Sequence, residues 1–470
     1  MSDELWRRSA TALAAAIRAR EVSCVEVMEA HLARIEAVNP LLNAIVSLDA
    51  ELGLRAAAAA DAALARGGAP GPLHGLPMAI KDLEDTAGMR TTYGSPIYRD
   101  HVPTADTLMV ARLRRAGALV IGKTNTPEFG AGSQTFNPVF GVTRNPYDRA
   151  RTPGGSSGGA AAAVASGMVP LADGSDVGAS IRNPAGFCNL VGLRTAPGRV
   201  PVVPPSNAWN PVGVLGPLAR NVEDAALLLR AMAGPDPRAP LSLDEAPEAF
   251  VLGAGVDPRG VRIAWSRTLG DLPVEPVVSA VLEDHRAALE PMGCIVEDVE
   301  PDLTAADDAF EVLRGVAFAQ AFGPLLETTD GEQLKETIRW NTRFGLALTG
   351  ADVARALGLQ TEIYERMRTL LERYDALALP VSQVAPFPVE QEWVTEIAGT
   401  AMGSYLEWMR SCSRITVTAH PALALPAGFT PDGLPVGVQL VGRQRGELAL
   451  LRLAAAIEEA TGVGRRAPEL

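Results

Sequence analysis

The sequence predicts an α/β fold on three observations. Short apolar runs of strand length alternate with amphipathic helical stretches along most of the 470 residues. Hydrophobic residues make up 47% of the chain, ample for a sizeable core. Gly (45) and Pro (36) are plentiful, which suits a turn-rich enzyme better than a helical bundle. Length alone fits two or three domains, or one large α/β domain.

In chain order, residues 9–38 read as two amphipathic helices parted near Glu21-Val22-Ser23, with Ser23 and Glu26 as a capping box. An Ala-rich helix, 51–66, ends at Gly67-Gly68. The stretch Gly75-Leu76-Pro77-Met78-Ala79-Ile80-Lys81-Asp82 is a short apolar strand that delivers Lys81 and Asp82 at its end. Helix 105–115 and strand 118–122 lead into Lys123. There Gly117 to Thr124 satisfies the pattern G-x-x-x-x-G-K-T, but a phosphate loop needs an open turn between strand and helix. Ala118 to Ile121 read as the strand itself, and Pro127 opposes a helix at Lys123, so an NTPase is rejected.

Beyond residue 185 the rhythm continues. Gly192-Leu193-Arg194 precedes a Pro-rich passage from Val200 to Pro217, and helix 221–233 opens on Asn221. Residues 234–260 read as a loop-rich excursion. Strand 261–265, helix 275–291 and strand 294–298 make a β-α-β unit, and residues 304–374 are largely helical. Strand 376–380, a hairpin through Pro431-Asp432-Gly433 and helix 447–460 complete the chain. No internal repeat or low-complexity tail stands out.

The formal charge of −13 argues against nucleic acid as a main partner and gives no reason to expect an anionic membrane surface. A small neutral substrate fits best. Cys24, Cys188, Cys294 and Cys412 sit singly, without a zinc or disulfide pattern, and no signal-peptide layout or bilayer-long apolar run is present. A cytoplasmic protein without metal or organic cofactor is the expectation. Lysine occurs only at Lys81, Lys123 and Lys335, leaving 39 of 42 basic residues as Arg. A lysine retained in such a chain points to a place where arginine cannot serve, since a buried ammonium can give up its proton. Lys335, in a polar stretch, is read as chance.

The chemistry concentrates between Thr152 and Ala185. Thr152-Pro153-Gly154-Gly155-Ser156-Ser157-Gly158-Gly159 is followed by a run of small apolar residues and then by Gly174-Ser175-Asp176-Val177-Gly178-Ala179-Ser180-Ile181-Arg182. A flexible linker would not carry an apolar, helix-compatible segment between its two turns. Gly154 to Gly158 also fits G-x-S-x-G, yet turn formers rather than a strand precede Ser156, so a nucleophile elbow is rejected. His285 and His420 lie downstream without other support as a base.

These two turns, with the strand ending Lys81-Asp82, resemble the amidase signature family of serine hydrolases, and the resemblance runs from Asn39-Pro40 to Gly433-Leu434-Pro435-Val436-Gly437-Val438-Gln439. One departure is Ala179, where the family carries glycine. The resemblance implies a single domain over 1–470, with a mixed, twisted central sheet covered by helices. It implies Ser180 as nucleophile, Ser156 as a bridging serine on a cis peptide, and Lys81 as the neutral base that works through Ser156. The N–H groups of Val177, Gly178, Ala179 and Ser180 would form the oxyanion hole. Asp176, Arg182 and Ser157 would support the turn, and Gly130 would face the bridging serine or substrate.

The expected activity is hydrolysis of small neutral or aromatic amides through an acyl-enzyme, with carbamates (urethanase activity) and esters as further substrates. Trp209, Trp340 and Trp393 are candidates to line an acyl or aryl pocket, set against ordinary packing. The alternatives are a glutaminase subunit of a tRNA-dependent amidotransferase and a non-catalytic binding protein on the same fold. The resemblance also raises a homodimer as a possible assembly.

Overall fold

A computed structural model describes residues 2–204, 207–253 and 255–470. Pro205 and Ser206 of the Pro-rich passage, and Ala254 of the 234–260 excursion, lie outside the described residues. The first helices run Ala10–Arg18 and Cys24–Leu42. Ser23 caps the second: its hydroxyl accepts from the Glu26 N–H while the Glu26 carboxylate accepts from the Ser23 N–H. That helix runs past its expected end, through Pro40, and closes on Asn43 in the left-handed conformation.

Two sheets carry the site. A three-stranded sheet orders Ile45–Leu48, Leu119–Thr124 and Pro77–Lys81, the middle strand antiparallel to the first and parallel to the last. Gly122, Lys123 and Thr124 are thus strand residues, which disposes of the phosphate-loop pattern. The second sheet has eight strands, in the order Ile295–Asp298, Arg262–Trp265, Ala376–Pro380, Pro435–Val441, Ala422–Phe429, Val191–Arg194, Val214–Ala219, Leu171–Asp176. The first three are parallel and every later pairing is antiparallel, so the sheet is mixed. Ala376–Pro380 and Pro435–Val441 are buried along their whole length, because helices close both faces.

The sequence reading missed the strand Val214–Ala219, taking its start as the end of the Pro-rich passage. Pro217 pairs across from Asp173, while the register with Val191–Arg194 covers only Leu218 and Ala219. A residue without an N–H is tolerated there because the second neighbour makes no ladder bond to it. Helices Val222–Met232, capped by Asn221, and Ala306–Leu326, Glu336–Ala347 and Gly350–Arg373 fall where the periodicity puts them, whereas Arg182–Phe187 and Arg410–Val417 are helices the sequence reading did not place.

The small residues between the serine turns form the helix Gly158–Ala165, and all eight are buried. Their size is a packing requirement. A Cβ on Gly159 would stand 2.3 Å from the Asn125 nitrogen and 2.8 Å from the Ala44 carbonyl oxygen, both backbone atoms at the edge of the three-stranded sheet. Gly159→Ala is therefore expected to destabilise the fold by about 1–3 kcal/mol through overpacking, read as a lower midpoint in thermal unfolding. An unchanged midpoint would show that the helix has room to move.

Candidate active site

Lys81 is the last residue of the strand Pro77–Lys81, and its side chain is fully buried. Its Nζ donates to Ser156 Oγ at 2.7 Å, to Ser157 Oγ at 2.8 Å and to Ser175 Oγ at 2.9 Å. Burial pushes its pKa down from 10.5 to about 7, although Asp173, Glu84 and Asp176 pull the other way. An amine so placed is partly neutral near pH 7. Neighbouring Asp82 faces elsewhere, accepting the Thr92 N–H at 3.1 Å and the Thr92 hydroxyl at 2.5 Å, and so fixes the turn after the strand.

Ser156 and Ser157 stand just before the helix Gly158–Ala165, and the Gly155–Ser156 peptide is cis. The Gly155 carbonyl accepts from Ser133 Oγ at 2.7 Å, and the Gly154 carbonyl from Thr135 Oγ1 at 2.8 Å. No strand leads into Ser156, so the elbow pattern fails on geometry. Gly130 packs on Ser156: a Cβ there would stand 3.4 Å from Ser156 Oγ and 2.9 Å from Leu83, and its φ of +71° favours glycine in any case.

Ser180 follows the strand Leu171–Asp176 by one tight turn and precedes the helix Arg182–Phe187. The Ser180 carbonyl accepts the Ser157 N–H at 3.1 Å, which ties the two serine turns together. Among the described residues the N–H groups of Val177, Gly178, Ala179 and Ser180 donate to no protein acceptor. Ala179 is buried with φ outside the left-handed region, so the alanine in place of the family's glycine imposes no strain.

Asp176 and Arg182 clamp this turn from beneath. Arg182 donates Nε to Asp176 Oδ2 at 3.0 Å and Nη2 to Oδ1 at 2.9 Å, and its Nη2 also reaches the Gly178 carbonyl at 3.1 Å. Arg194 Nη1 donates to the Asp176 carbonyl at 2.5 Å. Burial works to raise the Asp176 carboxyl, but Arg182 and Arg194 outweigh it and hold it below the usual carboxylate range. Neither Asp176 nor Arg182 lines the cavity of Ser156 and Ser180.

Ser156 and Ser180 share a cavity of about 70 Å³, with Leu83, Phe129, Gly130, Ser175, Val177, Gly178, Arg314 and Met409 among its lining. Trp209, Trp340 and Trp393 are absent from it; Trp209 is 72% exposed and Trp340 stacks on Phe344. The apolar wall falls instead to Leu83, Phe129 and Met409, which carry no sequence signal of their own. Ser175 was legible only as part of the signature turn. His285 and His420 are buried away from the serines, each pushed down to about 4 by desolvation. Lys123 is buried beside the site, with Nζ on the Glu84 carbonyl at 2.5 Å and on Thr86 Oγ1 at 2.9 Å. Lys335 pairs with Glu392 at 2.8 Å on a part-exposed surface, in keeping with an ordinary lysine.

Among the described residues no group of His, Cys, Asp and Glu side chains is arranged to hold a metal ion, and no helix is long and apolar enough to cross a membrane.

A family profile described as Amidase matches residues 26–451. The chain is similar to the acylamidase of Rhodococcus erythropolis, 37% identical over 452 residues covering 96% of this chain and 94% of that protein. It is also similar to a Glutamyl-tRNA(Gln) amidotransferase subunit of Moorella thermoacetica, 38% identical over 493 residues and covering 99% of each. The crystal structure of a bacterial aryl acylamidase of the amidase signature enzymes superimposes with a TM-score of 0.90 at 27% identity, covering 97% of this chain and 96% of that one.

Proposed function

The chain belongs to the amidase family, with the amidase signature fold, and is an amide-hydrolysing enzyme; on that premise we propose that it cleaves small amides, aryl amides foremost, through an acyl-enzyme on Ser180. Carbamates and esters are further substrates of the same site. The observation that carries this reading is the position of Lys81, a buried amine tuned to about 7 and hydrogen-bonded to Ser156 in the cavity that Ser180 also lines.

In this mechanism neutral Lys81 takes a proton from Ser156 while Ser156 takes one from Ser180, whose Oγ attacks the amide carbonyl. The developing oxyanion is met by the free N–H groups of Val177, Gly178, Ala179 and Ser180. The relay then returns a proton to the departing amine, which amide cleavage requires because an amide anion leaves poorly. Water repeats the attack on the acyl-enzyme and releases the acid. Ser157 and Ser175 hold Lys81 aimed at Ser156 and act as positioning residues. We read residues 1–470 as one amidase domain, a reading supported by the profile match over 26–451.

Aniline release from acetanilide and from ethyl N-phenylcarbamate, at equal concentration, tests the proposal. Wild-type protein should release aniline and Ser180→Ala should not. Faster acetanilide turnover identifies an aryl acylamidase, faster carbamate turnover a urethanase. The likeness to an amidotransferase subunit supports a second reading, a glutaminase. Ammonia release from glutamine that far outruns aniline release would favour it over ours.

A further inference from the structure

The catalytic cavity holds a charge that the proposed relay does not use. Arg314, on the helix Ala306–Leu326, is 6% exposed and lines the cavity with Ser156 and Ser180. Its Nε and Nη2 donate to the Tyr405 hydroxyl at 3.2 and 2.8 Å, and Asn341 Nδ2 reaches the same oxygen at 2.5 Å. The Phe318 ring lies 4.4 Å from the guanidinium carbon. Nη1 makes no hydrogen bond among the described residues.

What sets Arg314 apart is the missing counter-ion. The other buried arginines each pair with a carboxylate: Arg182 and Arg194 with Asp176, Arg199 with Glu447, Arg414 with Asp307. Arg314 has none within ion-pair distance among the described residues, only a phenol hydroxyl and an aromatic face. A guanidinium out of water costs free energy unless a negative group meets it. Its planar fork suits a carboxylate, and the unengaged Nη1 leaves one edge of that fork open.

We propose that the substrate supplies this counter-ion: a small amide that also carries a carboxylate, bound by Arg314 while the scissile carbonyl lies at Ser180. The inference rests on the reading of Ser180 as nucleophile. It narrows the substrate class without changing the chemistry, because hydrolysis proceeds as before and the carboxylate is a handle. The overall charge of −13 steers anions away at long range, but recognition is decided by the group in the cavity. With Tyr405 and Asn341 fixing the other edge, Arg314 is held in place for such an acid.

Matched substrate pairs test this. Glutaranilic acid is compared with pentananilide, which places the carboxylate on the acyl side. In the second pair, 4-acetamidobenzoate is compared with 4-methylacetanilide, which places it on the amine side. In one of the pairs kcat/KM should favour the acid by roughly 10- to 100-fold, as expected for a charge-assisted contact. Arg314→Gln should bring that ratio towards one, and Arg314→Lys should restore part of it. As a measurement on wild-type protein alone, pentanoate should inhibit acetanilide hydrolysis about tenfold or more tightly than pentanamide does. No preference for the acid in either pair, or a preference that survives Arg314→Gln, would overturn the inference. The two readings fail separately: neutral anilides turned over by wild type but not by Ser180→Ala keep the nucleophile even when the carboxylate confers nothing.

Discussion

Lys81→Ala should lose turnover by a factor on the order of 10³–10⁵ on any substrate the wild type accepts. The loss follows from what the amine does rather than from what it packs against. Lys81 is the one group in the relay able to hold a proton near neutrality, because burial has pushed it from 10.5 to about 7. Lys81→Arg should be as inactive as Lys81→Ala, since a guanidinium keeps its proton at every accessible pH. The pH profile carries the sign. The active form is the deprotonated amine, so kcat/KM should climb with pH through about 7 and level off above it. In Lys81→Ala that limb should vanish. A variant with near-normal turnover, or a profile that falls through neutrality, would remove Lys81 from the role of base.

Much of this site is legible in the sequence, and the reason is local. Lys81 closes one strand, Ser156 and Ser157 sit in one glycine turn, and Ser180 sits in the turn that follows another strand. Glycines mark both turns because backbones must approach closely there. Lysine is scarce enough to narrow the choice to three, and the strand ending in Lys81-Asp82 singles out Lys81. What stays hidden depends on contacts between distant segments. Arg314 reaches the cavity from a helix that begins at Ala306, and Phe129 and Met409 come from short 3-10 turns far apart in sequence. Nothing in their neighbours announces that they meet. The tryptophans mislead for the complementary reason: a large aromatic advertises buried area, but Trp209 lies on a Pro-rich surface loop and packs little of it. Pro217 hides its strand because a proline in a sheet is tolerated only by a register that the sequence does not display.

Arg182→Met should cost the fold about 3–5 kcal/mol, the usual consequence of removing one member of a buried ion pair. Asp176 would keep Arg194 as its remaining cation, with Nη1 at 3.4 Å from Oδ1. Beyond Asp176, Arg182 serves four acceptors from separate segments: the Gly178 and Cys412 carbonyls, Gln439 Oε1 and Thr416 Oγ1. Each would be left buried without its donor. The pH dependence has a definite sign as well. The folded carboxyl of Asp176 is held below its usual 3.8, so the stabilisation is full above that value and is lost only as pH falls further. Between pH 5 and 8 the gap between wild type and variant should therefore be flat. Activity should fall with stability, because Arg182 anchors the Gly178 carbonyl in the turn whose N–H groups we propose to meet the oxyanion. Asp176→Asn should cost at least as much, because it leaves the buried guanidiniums of Arg182 and Arg194 without their carboxylate and turns an amide NH2 toward their donors. Calorimetric unfolding beside aniline release measures the two quantities on one preparation. An Arg182→Met protein that unfolds like wild type but no longer turns over would move Arg182 from the framework into the chemistry. One that keeps both would mean that Arg194 alone is enough to hold the turn.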